Sequence, residues 1–356
     1  MAPQAQIITE PLTVLYSRLA DLDLHLDVYL PFGRTGTLPV FLWYHSGGLV
    51  NGAKHDMFFP NWLRERVLEE EWMFISAEYR FLLPSTGHDI LADVKAIGRF
   101  LAASDGLSQH LDAFGVGPDL TRMTVSGASA GGYLSRLHAL YCLPRMSLYG
   151  MGGDFLSPHW IEPHIDGVRF NGPFTHLRDV AHLLNEPQAQ IAYAPINFIS
   201  EDCTNDLNFR GSLYNFWQCH GTFLDNLTGI DGLTAKLRRL PYAEREAAIP
   251  TECRDLFPQL RVDDLPPTVL VHGAEDTSVD VSDSDKTYAA LTKKGTRAKY
   301  YRVEGLEHGL MSFPEKRRGH RALEAFDRAF AFCEEEMNFG AVTARHPNRI
   351  AEDEIG

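Results

Sequence analysis

Residues 121–134, Thr-Arg-Met-Thr-Val-Ser-Gly-Ala-Ser-Ala-Gly-Gly-Tyr-Leu, constrain the fold more than any other stretch of the chain. Met123 and Val125 stand at the two-residue spacing of a short strand, Gly127-Ala128-Ser129-Ala130-Gly131 is a turn of small residues, and a helical pattern follows. In a G-x-S-x-G turn between strand and helix the central Ser sits in a strained conformation, and small neighbours let the two elements approach closely. The arrangement predicts a Ser129 hydroxyl projecting into solvent above a helix N-terminus. A phosphate loop does not fit, because the stretch lacks a Gly-Lys-Ser/Thr ending and its glycines miss the G-x-G-x-x-G spacing. An ordinary tight turn has the same composition, so the rest of the chain must supply a base, a carboxylate and oxyanion donors in the required order.

Around this turn the pattern alternates between strands and helices. Pro11 to Pro31 holds two strand-like runs, the second with Leu24, Leu26, Val28 and Leu30 alternating with polar residues, which predicts a hairpin with one solvated face. Leu38 to Tyr44 is a continuous apolar run entering His45-Ser46-Gly47-Gly48, as expected of a buried central strand that ends in a glycine loop. A helix is expected over about 61–70, a strand over 72–79, and an amphipathic helix after Asp89 on Ile90, Val94, Ile97 and Leu101. Strands are expected again at 145–150, 267–273 and 299–303, with a helix ending near Gly295. A closing helix shows Leu323, Phe326, Phe330, Cys333 and Met337 on one face. This order predicts an α/β fold with a mostly parallel sheet covered by helices on both faces.

Residues 153–264 break the rhythm. They are rich in aromatics, including Phe155, Trp160, Phe170, Phe174, Tyr193, Phe198, Tyr214, Phe216, Trp217 and Phe223, and carry helical pieces such as the one behind a Thr175 cap. A structureless loop of that length is not expected inside a compact domain, so the stretch reads as a mainly helical cap or lid. The organisation is then a catalytic core from 1–152 and 265–342, a cap from 153–264, and a flexible tail from 343–356.

Composition narrows the classes of function. A net charge of −14 argues against nucleic acid as a partner, which needs clustered Lys and Arg. No apolar run reaches a membrane span, and the N-terminus carries no secretory pattern. The five cysteines, Cys142, Cys203, Cys219, Cys253 and Cys333, are scattered and odd in number, as expected of reduced thiols in a cytoplasmic protein. His159 and His164 lack a third ligand at suitable spacing, so no metal and no cofactor is expected. The sequence does not bear on oligomeric state.

A serine hydroxyl needs a base, and the base an orienting carboxylate. The strand ending at Gly273 is followed by Ala274-Glu275-Asp276, and the strand ending near Val303 by Glu307-His308-Gly309. Both loops fall at the carboxyl ends of parallel strands, where open α/β folds place their ligands. The order Ser129, Asp276, His308 assigns nucleophile, acid and base. Glu275 and Asp280 also lie near the strand end, and spacing from Gly273 favours Asp276. The amides of Ala130, Gly47 and Gly48 are the candidate oxyanion donors.

Together, His45-Ser46-Gly47-Gly48, Tyr79-Arg80 with Pro84 and Asp93, Gly127-Ala-Ser-Ala-Gly131, His272-Gly-Ala-Glu-Asp276 and Glu307-His308-Gly309 resemble an α/β-hydrolase of the hormone-sensitive-lipase-like carboxylesterase group. The resemblance covers about Pro11 to Met337 and implies the same triad and oxyanion hole. Ser46 stands where the family has its first Gly after His. The stretch before the first strand is short for an N-terminal cap arm, so the insertion is expected to form most of the cap. The resemblance implies a serine hydrolase that cleaves a carboxylic ester through an acyl-enzyme, and the aromatic-rich insertion points to a bulky, apolar small-molecule substrate. The alternatives are a thioesterase or natural-product tailoring and offloading hydrolase, an amidase or peptidase, and a non-catalytic binder on the same scaffold.

Overall fold

The structure is a computed structural model that describes residues 10–140, 145–185, 189–196, 210–313 and 317–340. Cys142, Cys203, Phe198 and the tail from 343 lie outside the described residues. An eight-stranded sheet runs through it in the order β1-β2-β4-β3-β5-β6-β7-β8. The strands are β1 Leu12–Arg18, β2 Asp23–Tyr29, β3 Gly36–Tyr44, β4 Met73–Ala77, β5 Val116–Ala128, β6 Arg145–Leu148, β7 Thr268–Gly273 and β8 Ala298–Val303. β2 runs antiparallel to both β1 and β4, and all other neighbours are parallel.

The continuous apolar run of β3 follows from its place between β4 and β5 with both faces covered. Val40, Leu42 and Tyr44 point to one layer, with helices Gly87–Ala102 and Ala130–Ala139, while Phe41 and Trp43 point to the other, with helices Asn61–Glu69 and His320–Gly340. Helix Gly87–Ala102 starts where Asp89 returns its carboxylate to the Thr86 amide at 2.8 Å, closing a capping box, and it buries Ile90, Val94, Ile97 and Leu101.

Four local expectations are corrected. The second face of the hairpin is not solvated at β2: Asp27 and Tyr29 are buried, and Asp27 accepts from Thr13 Oγ1 at 2.6 Å. β5 is no short run, because it begins at Val116 and pairs with β3 in two stretches separated by a register shift after Pro39. The turn-type residues Gly117-Pro118-Asp119 hide that first stretch in the sequence. On the closing helix Ala322, Phe326, Phe330, Cys333 and Met337 are buried but Leu323 is exposed, since the stripe passes through Ala322 instead. Helix Leu177–Asn185 begins one position later than a Thr175 cap requires; Asp179 binds the His176 amide, and the Thr175 hydroxyl accepts from Asn215.

Between β6 and β7 the described residues form only helical elements, among them Pro158–Ile161, Leu177–Asn185, Gly211–His220, Phe223–Thr228 and Leu233–Arg238. Phe155, Trp160, Trp217 and Phe223 are fully buried and belong to the same apolar cluster as Leu42, Val94 and Leu134. This insertion is thereby packed into the core of one sheet layer, at the end where the parallel strands terminate.

Candidate active site

Three chain segments cross at the turn after β5. A Cβ on Gly127 would lie 2.1 Å from the Gly131 carbonyl oxygen, and one on Gly131 would lie 2.0 Å from that of Tyr44, so only glycine allows the strand, the helix and the end of β3 to meet. Ser129 takes φ +55°, ψ −115°, a left-handed conformation that costs a non-glycine residue on the order of 1–3 kcal/mol. It is held there by its amide, which donates to Leu148 O at 3.0 Å, and by its carbonyl, which accepts from Gly132 and Met151. Ser129 does not project into open solvent: it is 4% exposed and faces a cavity whose walls include Phe170 and Tyr214 of the insertion.

The loops after β7 and β8 converge on this serine. His308 Nε2 stands 3.0 Å from Ser129 Oγ, and its Nδ1 stands 2.7 Å from Asp276 Oδ2. A carboxylate can only accept, so Nδ1 carries the proton and Nε2 presents its lone pair to the hydroxyl. Asp276 Oδ1 accepts from the amides of Ser278 and Val279, each at 2.9 Å. Burial would raise the Asp276 carboxyl, but the His308 and His272 rings beside it hold it well below the usual carboxylate range. Of the three acidic candidates only Asp276 reaches the ring: the Asp280 carboxylate caps the Ser282 amide, and the Glu275 backbone carbonyl accepts from Arg169. The rings of Tyr149 and Phe170 stand edge-on to His308, both with centroids 5.0 Å away.

After β3 the chain folds into a tight loop with Gly47 at φ +122° and Gly48 at φ +61°. The glycines are needed for packing within the loop and against the insertion: a Cβ on Gly47 would lie 1.9 Å from Asn51 O, and one on Gly48 would lie 2.6 Å from Tyr214 Cγ. Tyr79 steadies the loop, stacking on the His45 ring at 4.3 Å and donating its hydroxyl to His45 O at 2.9 Å. From the insertion, the buried Arg210 donates to the carbonyls of Val50, Leu82 and Leu83. Gly47 and Gly48 line the same cavity as Ser129, and Ala130 opens the buried helix behind it, where the first amides have no intrahelical acceptor.

Two residues close to Asp276 and His308 in sequence received no role from spacing and have one in the geometry. His272 is fully buried with Nε2 3.2 Å from Asp276 Oδ2, so the acid is bordered by two rings. Glu307 is 1% exposed and receives donors from three segments. The signal was their place beside Asp276 and His308, but nothing in linear spacing says which way either side chain turns.

The cavity above Ser129 has a volume of about 520 Å³. Phe58, Phe170, Phe174 and Met311 give it apolar walls, while Asn51, Asn171 and Asn215 add amides and Asp179 and Arg318 stand as charges on its lining. His159 and His164 are turned to backbone carbonyls, those of Ser278 and His159. Among the described residues no group of three His, Cys, Asp or Glu could hold a metal, and no helix is long and apolar enough to cross a membrane.

Known proteins share parts of this architecture. The BD-FAE family profile matches residues 26–145, and the profile described as the prolyl oligopeptidase family matches residues 207–338. A protein of Phoma sp. named "Probable carboxylesterase M8" is 30% identical over 138 residues, 37% of this chain and 43% of its own length. A Mycobacterium tuberculosis protein named "Probable carboxylic ester hydrolase LipM" is 31% identical over 242 residues, 62% of this chain and 52% of its own. The chain thus spans about half the length of the curated relatives it matches. The butyrate-bound structure of a thermophilic esterase from Thermogutta terrifontis superposes with a TM-score of 0.53, covering 95% of this chain and 97% of that one at 17% identity, a likeness of fold.

Proposed function

Since this chain belongs to the α/β-hydrolases of the carboxylesterase type, we propose that it is a serine hydrolase that cleaves carboxylic esters through an acyl-enzyme. The observation that carries the reading is the continuous chain from Ser129 Oγ to His308 Nε2 at 3.0 Å and from His308 Nδ1 to Asp276 Oδ2 at 2.7 Å, set beneath a cavity. Ser129 Oγ attacks the ester carbonyl while His308 Nε2 takes its proton. Asp276 remains ionised and stabilises the imidazolium. The amides of Gly47, Gly48 and Ala130 receive the oxyanion, each donor contributing on the order of 3 kcal/mol to the transition state. Collapse expels the alcohol, protonated by His308, and a water activated by the same ring releases the acid.

The insertion over 153–264 acts in this reading as the cap on a core formed by 1–152 and 265–342. Its aromatic wall suits a bulky apolar acyl or alcohol group, and the amide of Asn51 suits a polar substituent on the same molecule. A fluorophosphonate should label the wild type stoichiometrically and leave Ser129→Ala unlabelled; labelling that survives the substitution would overturn the assignment. Thioester cleavage by the same residues is the second reading, since a cavity of about 520 Å³ admits large acyl groups carried by either an alcohol or a thiol. A panel of p-nitrophenyl esters, acyl thioesters and anilides separates ester, thioester and amide cleavage by kcat/KM.

A further inference from the structure

Glu307 precedes the proposed base, yet its carboxylate turns away from the reacting atoms. Oε2 accepts from the His308 amide at 2.7 Å and from the Thr277 amide at 2.9 Å. Oε1 accepts from the Thr277 hydroxyl and from Arg169 Nε, the latter at 3.0 Å. Thr277 follows Asp276 in the chain, so one buried carboxylate ties the backbone of the acid loop to the backbone of the base loop. Arg169 comes from the insertion, 138 residues away in sequence. Its Nη2 donates to Glu275 O at 2.8 Å, and its guanidinium lies over the Phe313 ring at 5.5 Å. The next residue, Phe170, donates its amide to the Thr277 hydroxyl at 3.1 Å and stands edge-on to His308.

A carboxylate with 1% exposure is costly unless its lone pairs are filled and its charge is met. In Glu307 two backbone amides and a hydroxyl fill it, and Arg169 is its ion-pair partner. We propose that Glu307 is a positioning residue that sets the spacing between the loops carrying Asp276 and His308, and that Arg169 couples this spacing to the seating of the insertion. The inference rests on the hydrolase reading above. Its chemistry is indirect: Glu307 touches no reacting atom, and it acts by fixing where the His308 ring stands between Asp276 and Ser129.

Glu307→Gln keeps the shape but replaces an acceptor with an amide NH₂ that faces donors. The variant should lose roughly 10- to 100-fold in kcat on p-nitrophenyl butyrate, the scale of a catalytic group misplaced by about an ångström, with KM changed less than about twofold. Its fluorophosphonate labelling should slow by the same factor and still reach one label per chain. Arg169→Met should lose less, about 3- to 10-fold, because Arg169 is partly exposed, and Arg169→Lys should recover part of that loss. The double variant Arg169→Met, Glu307→Gln should be no worse than Glu307→Gln alone, since the two act as one unit. Wild-type kcat in folded Glu307→Gln, a loss confined to KM, or losses that multiply in the double variant would each overturn the proposal. If Glu307→Gln does not fold, the kcat of Arg169→Met and its recovery by Lys decide the matter. A wild type that takes no label sinks the hydrolase reading; a wild type that labels while all variants match it sinks only this inference.

Discussion

The sheet and the insertion find partners for their backbone polar groups by different means. In the sheet the ladders pair the carbonyls of each strand with the amides of its neighbours, and apolar side chains cover both faces. The described α-helices of the insertion are only four to ten residues long, and each helix C-terminus leaves roughly four carbonyls without an intrahelical donor. Arginines donate to carbonyls within the insertion and tie it to loops of the core. Arg238 donates to the carbonyls of Ile161 and Gly221, Arg245 to those of Leu240 and Leu156, and Arg210 to those of Val50, Leu82 and Leu83. A region built from short helices needs multivalent donors where a region built from strands needs apolar faces.

The sharpest way to break this contrast is to remove one element of each kind. Phe330→Ala opens the apolar layer under the sheet and should cost about 3–5 kcal/mol. Arg210→Met keeps most of the volume but leaves three carbonyls without their charged donor, and should cost about 3 kcal/mol or more. Chemical denaturation of both variants checks the comparison. An Arg210→Met protein that unfolds at the wild-type midpoint would mean that arginine donors do not hold the insertion in place. Arg210→Met should also slow ester turnover, because Val50 belongs to the loop of Gly47 and Gly48, whereas Phe330→Ala should spare it.

Acid sharpens the contrast less strongly. Burial pushes His45 and His138 beside the sheet, and His159 in the insertion, down to about 4. An unfolded histidine titrates near about 6.5. Between those values the unfolded chain binds more protons, so the stability tied to each neutral ring is complete above about 6.5 and is lost as pH falls towards 4, at most roughly 3 kcal/mol per ring. Asp283, which accepts from Trp160 Nε1 and the Gly153 amide, works in the opposite sense. Burial raises its carboxyl to about 6, so its contribution is complete below roughly 4 and is lost as pH rises through 6. His138→Gln should therefore reduce the drop in urea midpoint between pH 7 and pH 4.5, and Asp283→Asn should enlarge it. Equal drops in both variants and the wild type would show that other groups govern the acid limb.

The smallest effect belongs to Leu323→Gln. On the closing helix this leucine is exposed, so the change should alter stability by no more than about 0.5 kcal/mol, against several for Phe330. A large loss would mean that the layer reaches further round the helix than Ala322 and Phe326 indicate.

Regularity decided what could be read in advance. The continuous apolar run of β3, the helical spacing of Gly87–Ala102 and the strand-turn-helix at Ser129 are visible in the residues themselves. The start of β5 was hidden by Gly117 and Pro118, and Leu323 fell on the edge of its stripe, because periodicity resolves a face only to within a residue or so. Ser129, Asp276 and His308 could be placed in three loops from order alone, yet choosing among Glu275, Asp276 and Asp280 needed the direction of each side chain. Arg169 and Arg210 had no local signature. Their partners are carbonyls and a carboxylate far away in the chain, and such pairings exist only once the chain is folded.

The contact between Gly48 and Tyr214 carries a consequence for how this architecture can be rebuilt. The insertion and the glycine loop are not interchangeable modules: the space a side chain would occupy at residue 48 is already filled by a ring from the insertion. A foreign segment grafted between β6 and β7 without a ring at the place of Tyr214 would leave the loop without its outer wall. Retargeting by exchange of the whole insertion should therefore fail where point changes at Phe174, Asn215 or Met311 succeed, because those residues line the cavity without bracing the loop.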